Sequence, residues 1–352
     1  MTASPKPYFP PEWAEQSAVL LAWPYPQGDF SPWLAEVEAS YTAIASAIAA
    51  RQTLFIACQN DAHRQHIEHW LSATNTNLAN VRLAAVPYND VWVRDTAPLT
   101  VETAAGAKLL DFRFNGWGGK YEHSADAALA QNLHASGLFG TAPLERIDFV
   151  LEGGSLETDG AGTLLTTARC LLNPNRNPQC SQAQIEAQLQ AAFGIERVLW
   201  LWHGHAEGDD TDAHVDTLAR FCPGDTIAYT ACDDPEDPVY AGLHAMEVEL
   251  TSLRSADGQP YTLVPLPIPK PIHSEDGDRL PATYANFLII NGAVLVPVYG
   301  DPADAVALSR LAGCFPGREL VSIPSTPLIR QYGSIHCMTM QFPKSLSPCA
   351  KP

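Results

Sequence analysis

The amino-acid sequence predicts an α/β fold, on two observations. Apolar runs of strand length alternate with segments whose apolar residues recur at helical spacing, and the helical segments start at nearly even intervals. Ser31-Pro32 supplies a cap and a first-turn proline for a helix carrying Leu34, Val37, Tyr41, Ile44 and Ile48 on one face, and the run TLFIAC at 53–58 follows as a strand. Further helices are predicted from Asp61 (DAHRQHIEHWL), Ser124 (SADAALAQNLHASG), Ser181 (SQAQIEAQLQAAF), Val239 (VYAGLHAMEVELTSL) and Pro302 (PADAVALSRLA). Between them VRLAAV, KLLDFRF, TLLTT, RVLWLW, TIAYT, NFLII and AVLVPV read as strands. The five starts from Asp61 onward are 63, 57, 58 and 63 residues apart, the interval of one repeated supersecondary unit, although no residue-level repeat accompanies it. The proline-rich stretch 264–281 is predicted as an edge strand or surface flap, because proline cannot donate to a sheet ladder.

Composition bounds the function. The chain has 352 residues, 46% hydrophobic and 17% charged, which is enough apolar material for a folded globular protein, taken here as a single domain over 1–352. Its 39 Asp and Glu against 21 Lys and Arg give a formal charge of −18. A binder of phosphate backbones or anionic lipid needs the opposite sign, so neither nucleic acid nor membrane is an expected partner. The N-terminal residues lack an apolar signal core, and the longest apolar stretch, 287–298, is interrupted by Asn291, Gly292 and Pro297. A cytoplasmic location is therefore expected. The eight cysteines, at 58, 170, 180, 222, 232, 314, 337 and 349, contain no C-x-x-C pair, so neither a disulfide framework nor a zinc module is predicted, and most should be reduced and buried.

Four segments concentrate polar residues beside glycine, proline or tryptophan: 88–98, 150–160, 208–221 and 332–341. In the third, His214 and Asp216 project from one face if the chain is extended, pairing a proton shuttle with an anion. In the fourth, Cys337 follows Gly-Ser-Ile-His and is a candidate nucleophile. A metal centre built from His203, His205, His214 and Asp216 is the competing reading; it ranks lower because nothing else in the chain requires a metal.

Together these segments resemble the agmatine deiminase and Porphyromonas-type peptidylarginine deiminase family of guanidine-modifying enzymes. The resemblance runs from PPEWAEQSAVLLAWP through NDVWVRDTAP, DFRFNGWGGKY, EGGSLETDGAGTLLTTARCLLNPNRNP, DTDAHVDTLARF and YANFLIINGAVLVPVYGD to GSIHCMTMQFP. It implies a five-bladed α/β propeller of ββαβ units with pseudo-five-fold symmetry. It also implies roles: Cys337 as nucleophile, His214 as acid and base, Glu152 as the partner of His214, and Asp95 and Asp216 as the acids that hold a planar cation through paired hydrogen bonds. Asp95, Glu152, His214 and Cys337 are 57, 62 and 123 residues apart, so one residue per unit is expected at the axis. The unfilled fourth place falls near residue 275, with His273, Glu275 and Asp276, and the flap is expected to close over the site.

The implied substrate is a small cationic guanidinium, with no metal and no organic cofactor; homo-oligomerisation is left open. Trp92, Arg94 and Trp117 should shape the pocket, and Arg176 and Asn177 should be turn structure. The chain reads QYGSIHC and AHVDT where agmatine deiminases usually read GGGNIHC and GHVDN, which leaves the contacts to the substrate tail open. Agmatine would want an acid there, with Asp210 and Asp212 nearest, whereas arginine would want a base. Peptidylarginine deimination, amidinotransfer, a guanidinium-binding module without turnover and a metal-dependent hydrolase are the alternatives. Each site residue also has an ordinary structural explanation: Asp95 pairing with Arg94, Glu152 capping a glycine turn, Asp216 pairing with Arg220, and His214 lying in the core.

Overall fold

The computed structural model describes residues 6–74, 76–205 and 207–348, and Cys349 lies outside them. Among the described residues the strands form five separate sheets. In four of these an antiparallel pair is followed by a helix that returns the chain to a third, parallel strand, because parallel neighbours need a crossover where antiparallel ones need only a turn. The second sheet pairs Leu99–Thr103, Gly106–Arg113 and Leu144–Val150, and the third Glu157–Thr158, Thr163–Thr167 and Arg197–Leu201. The fourth pairs Ala219–Cys222, Thr226–Thr230 and Thr262–Leu266, and the fifth Leu288–Ile290, Ala293–Val298 and Glu319–Pro324.

The first sheet joins the two ends of the chain. Gln16–Ala22 lies antiparallel to Thr339–Pro343 and parallel to Thr53–Cys58, which in turn pairs with Val81–Ala85. Residues 18–22 are fully buried, so this strand has no polar face. A strand covered on both sides reads as a continuous apolar run, and SAVLLA does so.

The predicted helices at 61, 181, 239 and 302 begin where expected, as Asp61–Ser72, Gln182–Phe193, Tyr240–Ser252 and Ala303–Cys314. The first is capped by Asn60, and Ser181 forms a reciprocal capping box with Gln184. The helix expected from 124 begins as an α-helix only at Leu129. Asn89 Oδ1 accepts from the backbone N–H groups of Ala125 and Asp126, while the Asp126 carboxylate accepts from those of Asn89 and Asp90, so a loop captures the first turn.

The stretch 264–281 also departs from expectation. Thr262–Leu266 is an edge strand, as its proline requires, but no residue of the stretch lines the cleft over Cys337. Arg279 ties it to Asp237 and Glu207, and the Arg279 carbonyl packs so closely on Gly208 that a Cβ there would lie 2.3 Å from it. His273, Glu275 and Asp276 are exposed. The segment buttresses the loop at 207–213. No described helix is long and apolar enough to cross a membrane.

Candidate active site

Every connection between consecutive sheets delivers a polar side chain to one place. Asp95 lies on the short turn Val93–Thr96 between the first and second sheets, and Glu152 directly follows the last strand of the second. His214 and Asp216 flank the start of the turn Val215–Thr217 between the third and fourth. Asn286 precedes the fifth sheet, and Cys337 precedes Thr339–Pro343, the strand that returns the chain to the first.

Cys337 is buried, and its Sγ accepts a hydrogen bond from Asn286 Nδ2 at 3.1 Å and donates to Asp216 Oδ2 at 3.6 Å. Burial, then the charges of Asp216 and Asp95, push its thiol well above the ordinary value. Asp95 is fixed at both oxygens: Oδ1 accepts the Gly154 N–H at 2.9 Å and Oδ2 the Trp117 indole N–H at 3.0 Å. Burial opposes ionisation of Asp216, but the hydrogen bond from His336 Nδ1 at 2.7 Å and the charges around it hold its carboxyl below the usual range. Its other oxygen, Oδ1, is buried without a partner. A buried acceptor left without a partner is a free energy cost unless a ligand satisfies it.

His214 stands between the acids, Nδ1 at 3.7 Å from Asp95 Oδ1 and Nε2 at 4.0 Å from Glu152 Oε2. Burial raises the Glu152 carboxyl although the Arg176 guanidinium pulls it down, Arg176 Nε donating to Oε1 at 2.6 Å. Arg176 does sit in a turn, its N–H donating to the Asn173 carbonyl at 3.0 Å, but its side chain goes beyond that reading: it is fully buried and also donates to Asp212 Oδ2 at 2.7 Å and the Thr211 carbonyl at 3.1 Å. Asn177 does serve the turn, bonding the N–H and carbonyl of Val150. Asp212 is thereby taken up by Arg176 and Lys120 and does not line the cleft.

The cleft above Cys337 has an empty volume of about 580 Å³, open mouth included. Trp92, Trp117, Tyr121 and Tyr332 form its apolar walls, and Asp29, Asp90, Asp95, Asp209 and Asp210 its charged surface. Asp90 accepts from the Trp92 indole N–H at 2.9 Å, and burial raises its carboxyl to about 7. A wider groove beside the Asp61–Ser72 helix, lined by Arg64, Glu68 and Arg82 among others, contains none of these residues.

Beneath the site lies a buried ionic network that sequence reasoning missed. His336 bridges Asp216 and Glu12, at 2.7 Å from each, and Arg220 donates to Glu12 at 2.9 Å and to Glu157. Burial resists the charge on Glu12, but Arg220 and then His336 hold its carboxyl well below the usual range. Arg220 is thus the partner of Glu12 and Glu157, not of Asp216, and Arg94 donates to the His336 carbonyl, not to Asp95. Glu152 makes no cap to its glycine turn. The fourth place falls to Asn286, not to the region near 275: an uncharged amide at the head of NFLII carries no signal that composition or spacing could register.

The ligand set His203, His205, His214 and Asp216 is not brought together. His203 is exposed on Glu249 at 2.7 Å, and His205 packs beside Gly242. Neither joins a cluster of candidate ligands among the described residues.

Residues 8–343 match the family model of Porphyromonas-type peptidyl-arginine deiminases. A Vibrio parahaemolyticus protein provisionally named agmatine deiminase is 36% identical, covering 96% of each chain. The structure of a Porphyromonas gingivalis protein provisionally assigned as an arginine deiminase superposes with TM-score 0.91 at 47% identity, over 97% of this chain and 99% of the other. A cysteine-to-serine variant of C. jejuni agmatine deiminase with substrate bound gives 0.89 at 35% identity, over 97% of both. Matched over residues 8–343, with all five inter-sheet connections meeting at one site, the chain belongs to the Porphyromonas-type peptidyl-arginine deiminase family.

Proposed function

We propose that this protein is an agmatine deiminase, a hydrolase that converts the guanidinium of agmatine to N-carbamoylputrescine and ammonia. The reading rests on one observation: the cleft over Cys337 is lined by five aspartates and by no lysine or arginine. Such a surface suits a substrate cationic at both ends and offers nothing to the carboxylate of free arginine. Asp95 and Asp216 accept the guanidinium N–H groups, and Asp90, Asp29 and Asp210 face the distal ammonium. Of the two acids expected at that end, Asp210 lines the cleft, paired with Lys120 at 3.4 Å and with the Tyr121 hydroxyl, and Asp212 is held outside it by Arg176 and Lys120.

The chemistry follows from the charges. In the free enzyme Asp216 and Asp95 favour the protonated thiol. A bound guanidinium neutralises both acids, and the thiol proton passes to solvent. The Cys337 sulfur then bonds to the guanidinium carbon, and His214, protonated and held by Glu152, gives its proton to the departing nitrogen. Ammonia leaves and an S-alkylthiouronium remains. His214 next takes a proton from water, whose oxygen adds to the same carbon; the carbon–sulfur bond breaks and Cys337 is restored with the ureido product. All groups in this cycle belong to the chain. The whole chain forms one catalytic unit, a five-bladed α/β propeller whose blades are the five sheets.

Ammonia and ureido product are measured with agmatine, arginine and a blocked arginine peptide, for the protein and for Cys337→Ala. Agmatine turnover at least about 100-fold faster in kcat/KM than arginine, a discrimination within reach of a misplaced buried charge, is expected, with none in the variant. Preference for arginine or the peptide overturns the substrate, and activity in the variant overturns the mechanism.

A further inference from the structure

We infer that Glu152, Cys170 and His214 form a binding site for a thiophilic divalent cation of the zinc type, and that its occupancy silences the enzyme. A Glu152 oxygen, the Cys170 sulfur and a His214 nitrogen lie within 4.8 Å of one another, and all three residues are buried. Two of these groups are unsatisfied: Glu152 Oε2 and His214 Nε2 have no hydrogen-bond partner, and they face each other at 4.0 Å. Open buried polar atoms turned toward one point, with a thiol at the third corner, are an unfilled donor set.

The fold holds the corners in place. Thr167 Oγ1 accepts from the Cys170 N–H and donates to the Ala213 carbonyl, so one hydroxyl ties the turn bearing Cys170 to the residue before His214. Arg176 keeps the other Glu152 oxygen. Sulfur, imidazole nitrogen and carboxylate oxygen are the donors zinc prefers, with water completing a tetrahedron. Ligand atoms around such an ion stand about 3.3 to 3.8 Å apart, so small side-chain adjustments close the site. On binding, the Cys170 thiol gives its proton to solvent, and thiolate and carboxylate balance the dication. In the other compact cluster, Glu12, Glu157 and His336, no buried side-chain oxygen or nitrogen is left without a hydrogen-bond partner.

A cation on Nε2 replaces the Glu152 contact and leaves Nδ1 permanently protonated, so His214 can no longer act as a base. The binding stands on geometry alone; the silencing rests on the catalytic role given to His214 above.

Cobalt(II) is the spectroscopic probe, in Cys337→Ala so that the nucleophilic thiol is absent. One equivalent should bind with a thiolate-to-cobalt charge-transfer band, and the band should vanish in Cys170→Ala/Cys337→Ala. In the otherwise unaltered enzyme, Cys170→Ala and the near-isosteric Cys170→Ser should retain turnover yet need at least about tenfold more zinc for half-inhibition. No cobalt band in Cys337→Ala, or equal zinc sensitivity in both Cys170 variants, overturns the inference. A band that depends on Cys170 in a protein without turnover upholds the site while the deiminase reading fails.

Discussion

Asp90 accepts from the Val91 N–H at 2.7 Å and from the Trp92 indole at 2.9 Å, yet burial and the neighbouring Asp126 and Asp29 still raise its carboxyl to about 7. A raised acid is neutral below its pKa and anionic above it, so its attraction for a distal ammonium is weak at pH 6 and full at pH 8. The KM for agmatine should accordingly fall as pH rises through about 7, and Asp90→Asn should flatten that dependence while raising KM by about 5- to 30-fold, the worth of a charge-assisted hydrogen bond. A guanidine without a second cation should show neither effect. An unchanged KM profile in the variant would remove Asp90 from the tail site. Cys337, His214, Asp95, Glu152 and Asp216 were singled out in the sequence because their motifs resemble those of the family, and the structure brings all five together. The reach of Arg176 was missed because proline and asparagine on either side mark a turn, and a turn signal describes backbone, not the direction of a long side chain.

The glycine turn Gly153–Ser155 is the element on which the site closes. A Cβ on Gly154 would stand 2.7 Å from His214 Nδ1 and 3.0 Å from Asp95 Oδ1, and one on Gly153 would stand 2.2 Å from the Arg94 carbonyl. Glycine is required here by close approach, and Gly154 also donates its N–H to Asp95. Gly154→Ala should push His214 and Asp95 apart and lower kcat/KM by on the order of 10², the usual consequence of an ångström-scale displacement, with a smaller loss of melting temperature. Steady-state kinetics beside a thermal melt separates the two, and full activity would show that the turn has slack. Elements were legible in the sequence where local chemistry agreed with tertiary demand, as in the capping box at Ser181. They were missed where a distant loop intervened, as at 124–128, or where strands were short hairpin partners such as Ala219–Cys222, whose pairing is a property of the sheet.

At the scale of the molecule, an ionic network ties Glu12 near the N-terminus to Arg220 at the fourth sheet and to His336 beside the nucleophile. The excess acid is uneven: five of its carboxylates converge on one cleft. Such a mouth concentrates a dication, so kcat/KM for agmatine should fall several-fold between about 0.01 and about 1 M salt, as the Debye length shrinks from about 30 to about 3 Å. kcat should stay constant, because the bound state is screened little. A salt-independent kcat/KM would mean that the charge serves solubility alone.

The sequence by itself determined the α/β class, the nearly even spacing of its helices, the acidic net charge and which reactive side chains are candidates for the site, since periodicity, net charge and side-chain type are local or additive. Tertiary structure alone decided that Asn286 and not the stretch near 275 meets the thiol, that Arg176 holds Glu152, that Asp212 is unavailable while Asp90 faces the cleft, and that Cys170 joins His214. These are contacts between segments tens to hundreds of residues apart, and only the packing of five sheets brings them within a few ångströms.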